Sequence, residues 1–209
     1  QVNVNGERKE VNSSFCSPIQ QYESLPYVDL RSVKLAYSEI ISYVDTLSFR
    51  GDEDVERLVG LVPYVEFGVG SDNFVKYYND NLGNIMTDKV INGIDVSEIE
   101  GQVCVNVNDN NRPMASFDDW KKSMDVIKTR LTTNSVFNDM STIGSQQIKN
   151  EELYAKIYIK YWYAQIGSDS QFDQIISNPQ NQEERNIKER YEQVVPLFKS
   201  GMKWYEEIR

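Results

Sequence analysis

The sequence predicts a mainly α-helical protein, an irregular helical bundle of about six to eight helices with a small β-hairpin insertion at about 88–108. Apolar residues recur at helical spacing through most of the chain, while Asn92-Gly93 and the alternating Val103, Val105 and Val107 mark one β-element. The expected organisation is a polar N-terminal arm over 1–24 and a single helical domain over 25–209 that carries the insertion. At 209 residues, 40% of them hydrophobic and 11% aromatic, the chain can build a real core.

The arm, QVNVNGERKEVNSSFCSPIQQYES, alternates briefly at Val2, Val4 and Val11, as a flexible or edge-strand segment that reaches a neighbouring subunit would. Its Asn12-Ser13-Ser14 triplet is a glycosylation sequon, meaningful only in a eukaryotic secretory route. Asp29 suits a helix N-cap, and Val33, Tyr37, Ile40, Val44 and Leu47 share one helical face after it. In DEDVERLVGLVP, Asp52, Glu53, Asp54 and Glu56 suit a first turn, where the helix dipole favours acids. Val55, Leu58, Val59 and Val62 form that helix's stripe, and Pro63 is expected to end it. After an irregular link over 64–69, a helix is expected from Ser71 or Asp72 to Leu82, presenting Phe74, Val75 and Tyr78, with Gly83 just past its end.

The β-element comes next, then the polar loop NDNNRPMAS. Ser116 and Asp119 have capping-box spacing before a helix whose face is Phe117, Trp120, Met124, Ile127 and Leu131. A shorter helix is expected over 136–143, closed by Gly144, and another near 169–177, stopped by Asn178-Pro179. The last segment, 181–209, is helical and charged, with exposed pairs such as Glu184 and Lys188, and Pro196 is expected to kink or break it.

The run LYAKIYIKYWYAQI, 153–166, alternates acceptably as a strand, but its ends decide for a helix. Asn150 can cap, Glu151 and Glu152 suit the first turn, and Gly167 suits the position past the end. Tyr154, Ile157, Tyr158, Tyr161 and Ile166 then share a face widened by Leu153 and Trp162, with Lys156, Lys160 and Gln165 able to reach water. A girdle that wide belongs at the centre of a bundle or under another chain. Tyr158, Tyr161, Trp162 and Tyr163 are therefore the candidate interface residues, and Tyr163 separates the two outcomes.

The chain contains no histidine, which removes Ser-His-Asp and Cys-His catalysis, HExxH zinc hydrolysis and His-ligated haem from its repertoire. There is no phosphate-binding glycine loop of either common kind. A net charge of −10 opposes nucleic-acid and anionic-lipid partners. No apolar run reaches the roughly 18 residues of a membrane span, so no membrane insertion is expected. A chain that starts at Gln1 rather than Met fits removal of a leader peptide, and export, extracellular or virion localisation is the preferred expectation. In that setting Cys16 and Cys104 can form one bridge that pins the arm to the body; otherwise they are two free thiols.

Asn106, Asn108, Asp109 and Asn110 alternate oxygen-bearing side chains in a way that suits calcium, though the same residues also build polar turns. No other cofactor is expected. Glu66, in the apolar context YVEFGV, is the acid best placed for a raised pKa, and the Asn79-Asp80-Asn81 loop beside Tyr77 and Tyr78 has the composition of a sugar-binding surface. The function that best fits is a non-enzymatic structural, assembly or binding protein, acting with other protein subunits in a homo- or hetero-oligomer. The alternatives are a carboxylate-based glycan-acting enzyme and a calcium-stabilised binding module.

Overall fold

Asn108 and Asp109 both adopt left-handed backbone angles, φ 49° and 63°, the requirement of the tight two-residue turn that matches strand twist. They join β4 (Gly101–Val107) to β5 (Asn110–Ser116) in the principal hairpin of the protein. The computed structural model describes residues 8–70, 72–89, 96–141 and 150–209. The Asn92-Gly93 turn expected from the sequence lies outside them. Of the described residues 55% are helical and 15% are in strands, so the mainly-α expectation holds, with two antiparallel sheets, one three-stranded and one two-stranded. The chain divides into two compact units, Gln1–Tyr43 with Val62–Thr129 and Val44–Leu61 with Arg130–Arg209, a division that length and composition do not announce.

In the first unit, β1 (Lys9–Glu10) pairs antiparallel with β4 on the side away from β5. Cys16 and Cys104 form a disulfide with a Cα–Cα distance of 5.8 Å, and short 3-10 turns at Ser13–Phe15 and Gln20–Tyr22 carry the chain over the sheet. The described part of the arm is thus an edge strand followed by pinned turns. β5 tolerates Pro113 because Cys104–Pro113 is a non-hydrogen-bonded pair, so the missing N–H faces away from β4. On that outer side Thr87 N–H donates to the Pro113 carbonyl at 2.8 Å and Ala115 N–H to that of Ile85 at 2.9 Å. Val103, Val105 and Met114 form the buried face. Gly101 allows the closest approach, since a Cβ there would meet the Pro26 carbonyl oxygen at 2.7 Å.

One expected helix proves to be a strand, and another is strand in its first part and helix only after it. Residues 32–36 form β2 (Ser32–Ala36), and the helix α1 begins only at Tyr37 and runs to Val44. The expected helix to Leu82 is instead β3 (Phe74–Tyr78), which pairs antiparallel with β2. β3, FVKYY, is rich in β-branched and aromatic residues and buried at alternate positions, Val75 and Tyr77, and on β2 Leu35 is buried opposite Val75. α2 (Glu53–Phe67) starts as expected, with Asp52 accepting from Asp54 N–H and Val55 N–H at 3.1 and 3.0 Å. It passes through Pro63 and ends at Gly68, whose φ of +69° suits the left-handed position past a helix. Asp119, rather than Ser116, caps α3 (Trp120–Leu131), accepting from Lys121 N–H at 2.9 Å.

The second unit is helical: the first half of α2, α4 (Asn134–Met140), α5 (Asn150–Ile157), α6 (Asp169–Ser177) and α7 (Gln182–Ile208). The expected close of α4 at Gly144 lies outside the described residues. Pro196 does not break α7, because it sits on an exposed face where water can serve the carbonyl left without a donor. α5 continues into a π-helical turn, Tyr158–Tyr163, in which Ala164 N–H donates to the Ile159 carbonyl at 2.9 Å. The run is therefore helical through Tyr163, and it is central to its unit, with Leu153, Tyr154, Ile157, Tyr158, Ile159 and Trp162 buried. Phe198 packs between Tyr154 and Tyr158, with ring centroids 5.9 and 5.8 Å away.

The wider π turn shifts the helical register of the residues after Ile157 by about one position. Lys160, expected to reach water, is only 4% exposed and is held between Asp139, at 2.6 Å, and Asp169. Tyr161 donates its hydroxyl to the same Asp139 oxygen at 2.8 Å. Although burial alone would lower it, the Lys160 ammonium is held well above its ordinary value by the hydrogen bonds it donates to these acids, and Asp169 is held below the usual carboxylate range by Lys160.

Reduction of Cys16–Cys104, whose partners are 88 residues apart, is expected to lower the urea-derived unfolding free energy by about 4–5 kcal/mol. Replacing Lys160 with Met is expected to cost about 2–3 kcal/mol at neutral pH, less than a fully buried pair because Asp169 reaches water. The cluster's stabilisation is present above the unfolded Asp value of 3.8 and is lost as pH falls through the lower folded value. It is also present below the unfolded Lys value of 10.5 and is lost as pH rises through the higher folded value. Urea titrations across pH should therefore show both limbs flattened in the Lys160→Met variant.

Candidate binding groove on the β2–β3 ribbon

The antiparallel register of β2 and β3 sets Lys34 directly opposite Lys76. Tyr37 N–H donates to Asn73 O at 3.0 Å and Asn79 N–H to Arg31 O at 2.9 Å, so Lys34–Lys76 is a non-hydrogen-bonded pair, the kind whose side chains approach most closely. Like charges in that position oppose folding. Lys34 forms an ion pair with Asp72 and lies 4.4 Å from the centroid of the Phe74 ring. Lys76 is exposed and has no hydrogen-bond or ion-pair partner among the described residues.

This face of the ribbon lines a groove of about 560 Å³, bounded by Ser32, Val33 and Lys34, by Phe74 and Lys76, and by the stretch 67–70 with Asp72. The local chain explains its shape. Gly68 ends α2, Gly70 N–H donates to the Phe74 carbonyl at 2.9 Å, and Asn73, with φ 63°, closes the turn into β3. The Phe67 ring forms part of the wall and is itself held by the Arg8 guanidinium, which lies 5.5 Å from it and 5.0 Å from the Tyr78 ring. Burial pulls the Arg8 pKa down to about 10, against support from Tyr78 and Glu66. Asp72 is the one carboxylate among the described residues lining the groove, and its hydrogen bond from Lys34 keeps it below the usual range. A chain of net charge −10 thus presents two cations and two aromatic rings in one recess.

The end of the ribbon where β2 begins and β3 finishes is anchored by buried amides. Asn79, 1% exposed, accepts from Arg31 N–H at 3.1 Å and donates to the Asp29 carbonyl at 2.9 Å. Asp29 therefore serves an extended segment, not a helix cap. Asn81, equally buried, donates to the Ile85 and Ala115 carbonyls at 2.9 Å each. The Asn79-Asp80-Asn81 loop, with the composition of a sugar-binding surface, is tied into the protein in this way.

The sequence-derived candidates lie elsewhere. Asn106, Asn108, Asp109 and Asn110 sit at the β4–β5 turn, where Asn106 donates its amide to Asn111 Oδ1 at 2.8 Å and Asn110 donates to the Asn108 carbonyl at 3.1 Å. No group of three or more Cys, Asp or Glu able to hold a metal ion occurs among the described residues. Glu66 is buried in α2 and accepts from the Asn84 amide at 3.4 Å. Of the aromatic candidates, Tyr158 and Trp162 are core, Tyr161 is half-buried, and Tyr163 is 37% exposed while stacked on Tyr158 at 6.4 Å. Among the described residues no helix is long and apolar enough to cross a membrane.

Comparison with protein-family models, curated proteins and solved structures finds no match for this chain. The groove residues Lys34, Phe67, Asp72, Phe74 and Lys76 escape a reading of the sequence because local periodicity fits a helix at both strands. A signal is present at the second strand, where FVKYY places one lysine amid β-formers.

Lys76→Glu is expected to stabilise the fold by about 0.5 kcal/mol in urea titrations, since it turns a cross-strand repulsion into an attraction. The gain should shrink in about 1 M salt, where exposed charges are screened.

Proposed function

We propose that this chain is a non-enzymatic binding or assembly protein that engages another polypeptide. The observation that carries the reading is Lys76: an exposed cation placed against Lys34 at the expense of stability, in a recess walled by Phe67 and Phe74. Surface residues that oppose folding are retained more readily where they serve a ligand. Aromatic walls with a few convergent polar groups are the composition of binding recesses. The groove holds a single carboxylate, already engaged by Lys34, so it offers no acid pair for glycoside hydrolysis. Exposed Tyr163, Tyr27 and Phe15 supply further aromatic contact area of the kind that subunit interfaces use. The Cys16–Cys104 disulfide favours an exported, extracellular or particle-borne setting, because such bridges persist in oxidising compartments.

Panning displayed random peptides against the folded protein tests the reading. Enriched clones should lose binding to the Lys76→Glu variant. Release of reducing ends from a panel of neutral glycans by the wild-type chain would sink it.

A further inference from the structure

The groove is bordered by a strand edge that the fold leaves open. In β2 the hydrogen-bonded pairs with β3 fall at residues 31, 33, 35 and 37, as the bonds at Arg31 and Tyr37 show. The N–H and C=O groups of Ser32 and Lys34 therefore point away from β3. Among the described residues none of these four groups has a hydrogen-bond partner. The next outward N–H, that of Ala36, is taken by Glu39 at 3.3 Å. The outer edge of β3 is more closed: Phe74 O accepts from Gly70 and Tyr78 O from Asn81, at 2.9 and 3.0 Å. The open edge is thus the one whose residues Ser32, Val33 and Lys34 line the groove.

We propose that an extended acidic segment of a partner polypeptide adds to β2 as a third strand and fills this groove. The proposal rests on the reading of the groove as a polypeptide-binding site and names what the site selects. An added strand would pair its main chain with Ser32 and Lys34, the mode in which backbone bonds supply affinity and alternate side chains supply specificity. Alternate residues of that strand face the recess, where a carboxylate meets Lys76 and can share Lys34 with Asp72. An apolar residue at the next inward position meets Phe67, Phe74 and Val69. The partner's charge follows from complementarity: two lysines face the recess and its single acid is already paired. A lysine on an exposed edge ordinarily repels further strands of a cationic or neutral kind. Here it would discriminate in favour of acidic ones.

Fluorescence polarisation with a labelled Glu-Val alternating hexapeptide tests this, beside Lys-Val and Ser-Val peptides of the same length and a Glu-Val peptide N-methylated at alternate residues. Wild-type protein is expected to bind the Glu-Val peptide at least about tenfold more tightly than the other three, with affinity falling as salt rises. Lys76→Glu should reverse the preference toward the Lys-Val peptide. Lys34→Pro, which removes an outward N–H at an edge position where proline is tolerated, should weaken Glu-Val binding with the helical circular-dichroism signal intact. Equal binding of the methylated and unmethylated peptides would overturn strand addition. Binding of the Ser-Val or Lys-Val peptide at least as tight as that of Glu-Val would overturn the acidic partner while leaving the groove a peptide site. If no peptide binds and panning yields no Lys76-dependent clone, both readings fall.

Discussion

Buried main-chain polar groups must find partners, and in the first unit three buried amides meet that demand where regular structure stops. Asn79 joins the start of β2 to the end of β3, Asn81 joins the loop after β3 to β5, and Gln102 reaches the Tyr22 and Leu25 carbonyls at 3.0 and 3.1 Å. Each lies at or below 1% exposure, so each unmade bond would leave a desolvated group. Of the three, Asn79 bonds at the end of the ribbon itself, in the register that sets Lys34 against Lys76. A shift of one residue in that register would move the lysines to the buried face.

The second unit meets a comparable constraint with charge. The π turn carries Lys160 into the interior, and two aspartates from different helices compensate it. A second network joins Arg57 to Asp54 at 3.1 Å and Glu206 at 2.6 Å, with the Tyr154 hydroxyl donating to Asp54 at 2.8 Å. Such networks are weak sources of net stability, yet they penalise any packing that leaves a member unpaired.

The groove differs from both networks in that its unused polar groups belong to exposed residues. Among the described residues Lys76 and the outward groups of Ser32 and Lys34 have no partner, while the buried amides of Asn79, Asn81 and Gln102 are all engaged. That contrast is the physical basis for reading the ribbon as a place where another chain completes the sheet.

Some of this was legible in the sequence alone. The mainly-α composition, the acid-rich start of α2, the Asn178 stop of α6, and the helical nature of 153–163 follow from local chemistry: caps, dipole and periodicity act within a turn or two of chain. The absence of histidine and the chemistry it excludes are likewise properties of composition. What the tertiary structure decided involves contacts distant in sequence. Whether 32–36 and 74–78 are helix or strand depended on their pairing with each other, some 40 residues apart. Pro63 and Pro196 carry the local signature of helix ends, yet tertiary packing takes both helices through them. Lys160 turned inward because Asp139 and Asp169 were there to receive it. Above all, that two lysines stand side by side is a fact of register, and register is set by partners that no local pattern names.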